Sequence, residues 1–239
     1  MHKLVQEATR YGLGMRNPED EVYFSGAALQ IMAKLFPESN QETWEECERY
    51  VAHAVQVGEW VEICQRKDEV ADLLVRVSDY LFDRGRWREK EPVDERAYEL
   101  RREVLGEKHP DTIWSMASLA TTYHQQGRYG EAEPMKIKVL ELRREVLGEK
   151  HPDTIRSMAE LATIYHAQGR YAEDEKISVE VLKLRREVLG EKHPDTIRSM
   201  ASLAATYHQQ GRYAEDEKIS VEVLELRRGL LGEEHPDSL

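Results

Sequence analysis

Apolar side chains recur at helical spacing along most of the chain. Between residues 110 and 126 they are Ile113, Met116, Leu119, Ala120 and Tyr123. Their steps of three, three, one and three place them on one face of an α-helix. Pro110 suits the first helical position, where no intrahelical bond is lost, and Asp111 favours the positive end of the helix dipole. Gly127 ends the pattern and permits a tight turn. A second amphipathic stretch runs from 129 to 147, with Met135, Val139, Leu142 and Val146 in one row and Leu140 and Leu147 beside it. Two apolar rows on one helix predict burial on two sides, as between stacked neighbours. Gly148 fits the C-cap, and Arg143 and Arg144 suit the negative helix end. Pro134 breaks the pattern, because it lies past the first turn and removes one backbone hydrogen bond.

This helix–turn–helix pattern repeats. His109-Pro110-Asp111-Thr112-Ile113 returns at His151 and at His193 and starts again at His235, in steps of 42 residues. Gly127-Arg128-Tyr129 returns at Gly169 and Gly211, and Gly85-Arg86-Trp87 marks a more divergent copy one period earlier. Copies 109–150 and 151–192 agree at 30 of 42 positions, and 151–192 and 193–234 at 34 of 42, which removes chance as an explanation. A period of this length predicts stacked supersecondary units that bury their apolar faces on their neighbours.

Composition narrows the partners. The net charge of −12 supplies no basic face for nucleic acid and no attraction to an anionic membrane. No apolar run approaches the ~18 residues of a spanning helix, and the first residues lack the apolar core of a signal peptide. Cys47 and Cys64 are the only cysteines, which predicts free thiols in a reducing, cytoplasmic setting.

Leu119-Ala120-x-x-Tyr123-x-x-x-Gly127-x-Tyr129-x-x-Ala132-Glu133 resembles the tetratricopeptide signature. The linker Leu147-Gly148-Glu149-Lys150-His151-Pro152 resembles the 42-residue version in kinesin light chains. The resemblance implies an all-α fold, a right-handed superhelical solenoid of tetratricopeptide helix pairs at 67–108, 109–150, 151–192 and 193–231. Residues 232–239 would begin an incomplete repeat. One departure is the family's small Ala132, which becomes Asp174 and Asp216. A buried Asp is costly unless bonded, so a looser or solvated helix contact is expected there.

Residues 21–66 form an irregular helical region, with helices over 22–36 and 41–57 broken at Phe36-Pro37. Residues 1–20 begin with Met1-His2-Lys3-Leu4-Val5-Gln6-Glu7-Ala8-Thr9-Arg10, which resembles the end of the winged-helix segment in NLR-like signal-transduction ATPases. Leu35-Phe36-Pro37, Trp44, Cys47 and His53 resemble that family's join to its repeats. No G-x-x-x-x-G-K-[ST] run occurs, so no phosphate cradle is present. The resemblance implies the ligand-sensing repeat arm of such an ATPase, as a fragment or a truncated relative. A free-standing adaptor of the kinesin-light-chain type and a purely structural repeat are the other readings.

The copies can be compared within the chain. First helices differ only at 114, 118, 121, 122 and 125 and their equivalents, a stripe roughly 100° wide. The shared positions are expected to pack and the differing ones to face solvent. In the family this helix lines the concave surface. The candidate binding row is therefore Trp114, Ser118, Thr122 and Gln125; then Arg156, Glu160, Ile164 and Ala167; then Arg198, Ser202, Thr206 and Gln209. Trp114 would pack against a protein or peptide ligand, and Arg156 and Arg198 would pair with its acidic groups. Drift on an unconstrained face is the other reading of the same pattern. Ser118, Glu160 and Ser202 stand where kinesin light chains carry a cargo-facing Asn, so cargo recognition of that kind is not expected.

No catalytic, cofactor or metal site is expected. The recurring histidines (109, 151, 193, 235 and 124, 166, 208) would stand on the order of 10–20 Å apart in stacked helices, too far to share a metal. Glu131 with Glu133, and Asp216 with Glu217, lie at helix starts, where the dipole accounts for them. Arg101-Arg102 and Arg143-Arg144 read as a solvated helix face. The last repeat lacks a polar capping helix, so association between chains through residues 212–231 is expected.

Overall fold

The computed structural model describes residues 18–231. Of the winged-helix resemblance expected over 1–20, residues 1–17 lie outside the described residues, as does the incomplete repeat expected at 232–239. Within them every regular element is an α-helix. The described residues form two compact units, 18–128 and 129–231.

In the first unit, α1 (Pro18–Leu35), α2 (Trp44–Glu59) and the short α3 (Val61–Cys64) precede α4 (Lys67–Asp83), α5 (Trp87–Leu105) and α6 (Pro110–Gln125). Their core joins Leu29, Met32 and Phe36 to Cys47, Val57, Leu73, Val77, Tyr80, Val93 and Leu100. Pro37 prevents continuation of the chain's first described helix, leaving carbonyls at its end without helical partners. Arg76 answers two of them, donating from Nη1 to Ala33 O at 2.9 Å and Phe36 O at 2.7 Å. Cys47 and Cys64 are free and buried, and burial pushes the Cys47 thiol up.

The second unit holds α7 (Tyr129–Leu147), α8 (Pro152–Ala167), α9 (Tyr171–Leu189), α10 (Pro194–Gln209) and α11 (Tyr213–Leu231), each packed on the next. Leu140, Ile155, Met158, Leu161, Val181 and Leu184 form one core. Leu182, Ile197, Met200, Leu203 and Val223 form another. Pro134 is accommodated within a continuous α7.

Three devices recur at fixed positions. The first helices start on a histidine N-cap: Nδ1 of His109, His151 and His193 accepts the backbone N–H two residues on, at 3.2, 3.2 and 3.1 Å. The second helices end at glycines with positive φ, 83° at Gly106 and 88° at Gly148 and Gly190, a conformation that favours glycine.

The third device corrects the expected solvated face. Arg101 and Arg143 are buried. Nη1 of Arg101, Arg143 and Arg185 donates to the carbonyl of Asp111, Asp153 and Asp195 at 3.1, 3.1 and 2.9 Å. The same nitrogens reach Ser115, Ser157 and Ser199. One guanidinium thus ties each second helix to the first turn of the next copy, and only its neighbour in the Arg-Arg pair stays exposed. The constant Arg and the constant Ser are one device.

A candidate binding cleft and the junctions beside it

The variable stripe divides on burial. Trp114, Gln125, Arg156, Ala167, Arg198, Ser202 and Gln209 are exposed, and Ser118 and Glu160 are half-buried. Thr122, Ile164 and Thr206 are fully buried, against the expectation that the whole stripe faces solvent. The physical reason is their place at its edge, where the first helix turns towards the second helix of the preceding copy.

There the differing residues meet partners that differ with them. Between α5 and α6, Lys90 and Asp94 form a buried ion pair at 2.5 Å. Thr122 donates to Asp94 at 2.6 Å, Ser118 at 3.2 Å, and Ser78 at 2.5 Å from α4. Between α7 and α8 the same positions hold Ala132 and Lys136, facing Glu160 and Ile164. Lys136 is buried and reaches Glu160 at 2.5 Å. Burial pulls the Lys136 ammonium below the ordinary lysine range, with Glu160 opposing the shift. Between α9 and α10, Asp174 is buried and accepts from Thr206 at 2.7 Å and Ser178 at 2.8 Å, with His166 Nδ1 at 2.9 Å. The looser contact expected at Asp174 is absent, because three donors satisfy its carboxylate.

The acidic residues at second-helix starts do more than answer the dipole. Glu91, Glu133 and Glu175 each bind the Arg of the Gly-Arg turn that follows: Arg128, Arg170 (2.8 Å) and Arg212 (2.7 Å). Gln126, Gln168 and Gln210 add bonds to the same carboxylates. Each arginine also lies over a tyrosine ring, Tyr123, Tyr165 or Tyr207, at 4.2–4.3 Å. The hydrogen bonds of Arg212 and Gln210 hold the Glu175 carboxyl below its usual value.

Within the second unit a cleft of about 410 Å³ opens between α8, α9 and α10. It brings together five expected residues, Arg156, Glu160, Ala167, Arg198 and Ser202, and adds Thr163, His166, Asp174, Ser178 and Arg185. Arg156 and Arg198 reach solvent at its rim, with side chains 63% and 72% exposed. Their own partners are Asp153 at 3.7 Å and Asp195 at 2.9 Å, surface pairs of little strength. Arg185 lies deeper. Burial lowers its pKa, and the charges of Arg198 and Arg156 push the same way against Asp195. Glu160 and Asp174 already have internal donors, so the rim arginines give the cleft its accessible positive charge.

Comparison among copies missed Arg185, because it is identical in all of them. Of the other expected residues, Ile164, Thr206 and Gln209 do not line this cleft. Trp114, Ser118, Thr122 and Gln125 belong to the first unit. Trp114 is 39% exposed there, with the Arg101 guanidinium 6.0 Å from its ring. No group of three or more His, Cys, Asp or Glu among the described residues is arranged to hold a metal. No helix among them is long and apolar enough to cross a membrane.

Family models described as tetratricopeptide repeat match residues 69–136, 117–173 and 160–215, and a further one matches 196–237. A nucleotide-binding leucine-rich repeat (NLR)-like protein of Hyaloscypha variabilis is 42% identical over 117 residues. That match covers 48% of this chain and 12% of the relative, so the chain spans a small part of that protein's length. The nearly identical TPR-like repeats of a kinesin light chain-like protein from Podosopora anserina superpose with a TM-score of 0.69 at 19% identity, over 91% of this chain and 99% of that one. BtubC (BKLC) from P. vanneervenii gives 0.68 at 16%, over 98% and 90%.

Proposed function

From the premise that the chain belongs to the tetratricopeptide repeat family, we propose that it is a non-catalytic module whose α8–α9–α10 cleft binds an acidic segment of a protein or peptide. The observation that carries this reading is the arrangement of Arg156, Arg185 and Arg198 on one cleft in a chain of net charge −12. Guanidinium forks match carboxylates in a bidentate geometry that lysine does not offer. The NLR-like relative supports a place in the repeat arm of a cytoplasmic signal-transduction ATPase, where such a cleft would sense a ligand. A free-standing adaptor would use the cleft in the same way, and the likeness to kinesin light chain-like repeats favours that second reading. Association between chains through residues 212–231 belongs to the same proposal.

The test uses the intact chain against an array of Glu-rich peptides and their Gln-substituted counterparts. Acidic peptides should be retained and amide peptides lost, with binding falling as salt rises. The R156E/R198E variant should bind at least about tenfold more weakly, the loss of one good charge-assisted contact. Equal retention of acidic and amide peptides, or an unaffected variant, would overturn the reading.

A further inference from the structure

Two periods of 42 residues relate Arg101 in the first unit to Arg185 in the second. Both arginines use Nη1 in the same way, on a carbonyl and a serine of the following first helix: Asp111 and Ser115, Asp195 and Ser199. What flanks them differs. Arg101 donates from Nη2 to the Asp72 carboxylate at 3.1 Å, and its guanidinium lies 6.0 Å from the Trp114 ring. Two periods on, the position of Asp72 holds Arg156 and that of Trp114 holds Arg198.

The first unit therefore holds a guanidinium with its anion in place, and the second holds the same guanidinium without one. No described residue accepts from Nη2 or Nε of Arg185. The charges of Arg198 and Arg156 instead act against its own. Exchanging an aspartate and a tryptophan for two arginines makes this junction three charges more positive than its counterpart. Asp153 and Asp195 do not offset that difference, because Glu69 and Asp111 stand at the same positions around Arg101. The three guanidiniums line one cleft, Arg185 half-buried and the other two at the rim. A carboxylate in the place of Asp72 would return one charge. A phosphoryl group carries about −1.5 to −2 near neutral pH and offers three acceptor oxygens, one for each guanidinium.

We propose that Arg156, Arg185 and Arg198 form a binding site for a phosphoryl group carried on a protein segment, as phosphoserine or phosphothreonine. The inference rests on the cleft reading above and narrows its acidic segment to one bearing a dianion. Arg185 is fixed by the Asp195 carbonyl at 2.9 Å and Ser199 at 2.6 Å, so its remaining N–H groups are held in orientation. Arg156 and Arg198 are exposed and only weakly paired, free to turn onto the ligand from either side. Guanidinium forks match phosphate oxygens as they match carboxylates. Asp72 on Arg101 marks the place that the phosphoryl group takes on Arg185.

The probes are three fluorescein-labelled peptides of the pattern Glu-Gly-X-Gly-Glu, with X as phosphoserine, glutamate or glutamine. Each is titrated into the intact chain by fluorescence anisotropy at one ionic strength. The phosphoserine peptide should bind at least about tenfold more tightly than the glutamate peptide. R156D installs beside Arg185 the carboxylate that Asp72 supplies to Arg101. That variant, at an exposed position and with circular dichroism matching the parent, should lose the preference. R198Q should weaken the phosphoserine peptide more than the glutamate peptide. Equal binding of these two, with both above the glutamine peptide, would overturn the inference and leave the acidic cleft standing. Equal binding of all three would overturn both. A preference that survives R156D would place the phosphoryl group elsewhere and overturn the assignment. Inorganic phosphate binding as tightly as the phosphoserine peptide would overturn it as a site for a protein segment.

Discussion

Lys136 shows how one side chain decides the character of a junction. It is buried, it reaches Glu160 across two helices, and Glu160 keeps solvent on about a third of its side chain. Removing one partner from a buried pair costs ~3–5 kcal/mol, and the exposure of Glu160 reduces that here. E160A should therefore destabilise by about 1–3 kcal/mol in denaturant unfolding. K136M/E160M, which removes both charges, should cost less than E160A alone, and the reverse order would deny that the pair is matched. Glu175 gives a second prediction, in pH. Its carboxyl sits below the ordinary 4.5 because Arg212 and Gln210 bond its ionised form. A depressed carboxyl contributes stability that is complete above its unfolded value and disappears as pH falls through the folded one. Unfolding midpoints measured from about pH 6 down to about pH 3 should fall less steeply for E175Q than for the parent. Parallel curves would show that the Arg212 clasp contributes nothing.

At the scale of helices, apolar spacing carries most of the information. The first helices expected from about Pro110 end at Gln125, and the second run from Tyr129 to Leu147 as their apolar rows predict. Leu161 belongs to a core shared by α7, α8 and α9. L161A should cost ~2–5 kcal/mol, and an unchanged melting curve would remove that core from the argument. What the sequence concealed has physical causes. Periodicity assigns a face to each residue, but a charged residue on the face does not announce its partner. Arg143 looked solvated because its Asp153 carbonyl and Ser157 hydroxyl lie across a turn. Thr122, Ile164 and Thr206 looked exposed because they vary, yet they vary in step with Asp94, Ala132, Lys136 and Asp174. Variation among copies marked two kinds of place at once, a solvent rim and a matched junction, and only burial separates them. The cleft was half legible: Arg156 and Arg198 stood out by differing from Trp114, while invariant Arg185 did not.

In the molecule as a whole, stability should rise and fall with neighbours. Repeats held only by adjacent contacts behave as a sum of local terms, so opening begins where a helix has least to pack on. In the second unit α9 is covered by α8 and α10, whereas α11 packs mainly on α10 and meets α9 through the exposed Arg186–Glu222 pair at 3.4 Å and the Leu182–Val223 core. Amides in 216–229 should therefore exchange with solvent faster than their counterparts in 174–187. The junction between α9 and α10 controls what lies beyond it. T206V removes a donor from buried Asp174 and should cost about 1–3 kcal/mol. If the coupling is local, exchange should quicken in α10 and α11 while α4 and α5 keep their parent rates. Uniform acceleration across all helices would mean that the chain opens as one cooperative block, and the nearest-neighbour account would fail. A response confined beyond the altered junction would show that near-identical copies are held in sequence by their few differences, each first helix carrying the groups that the preceding second helix lacks.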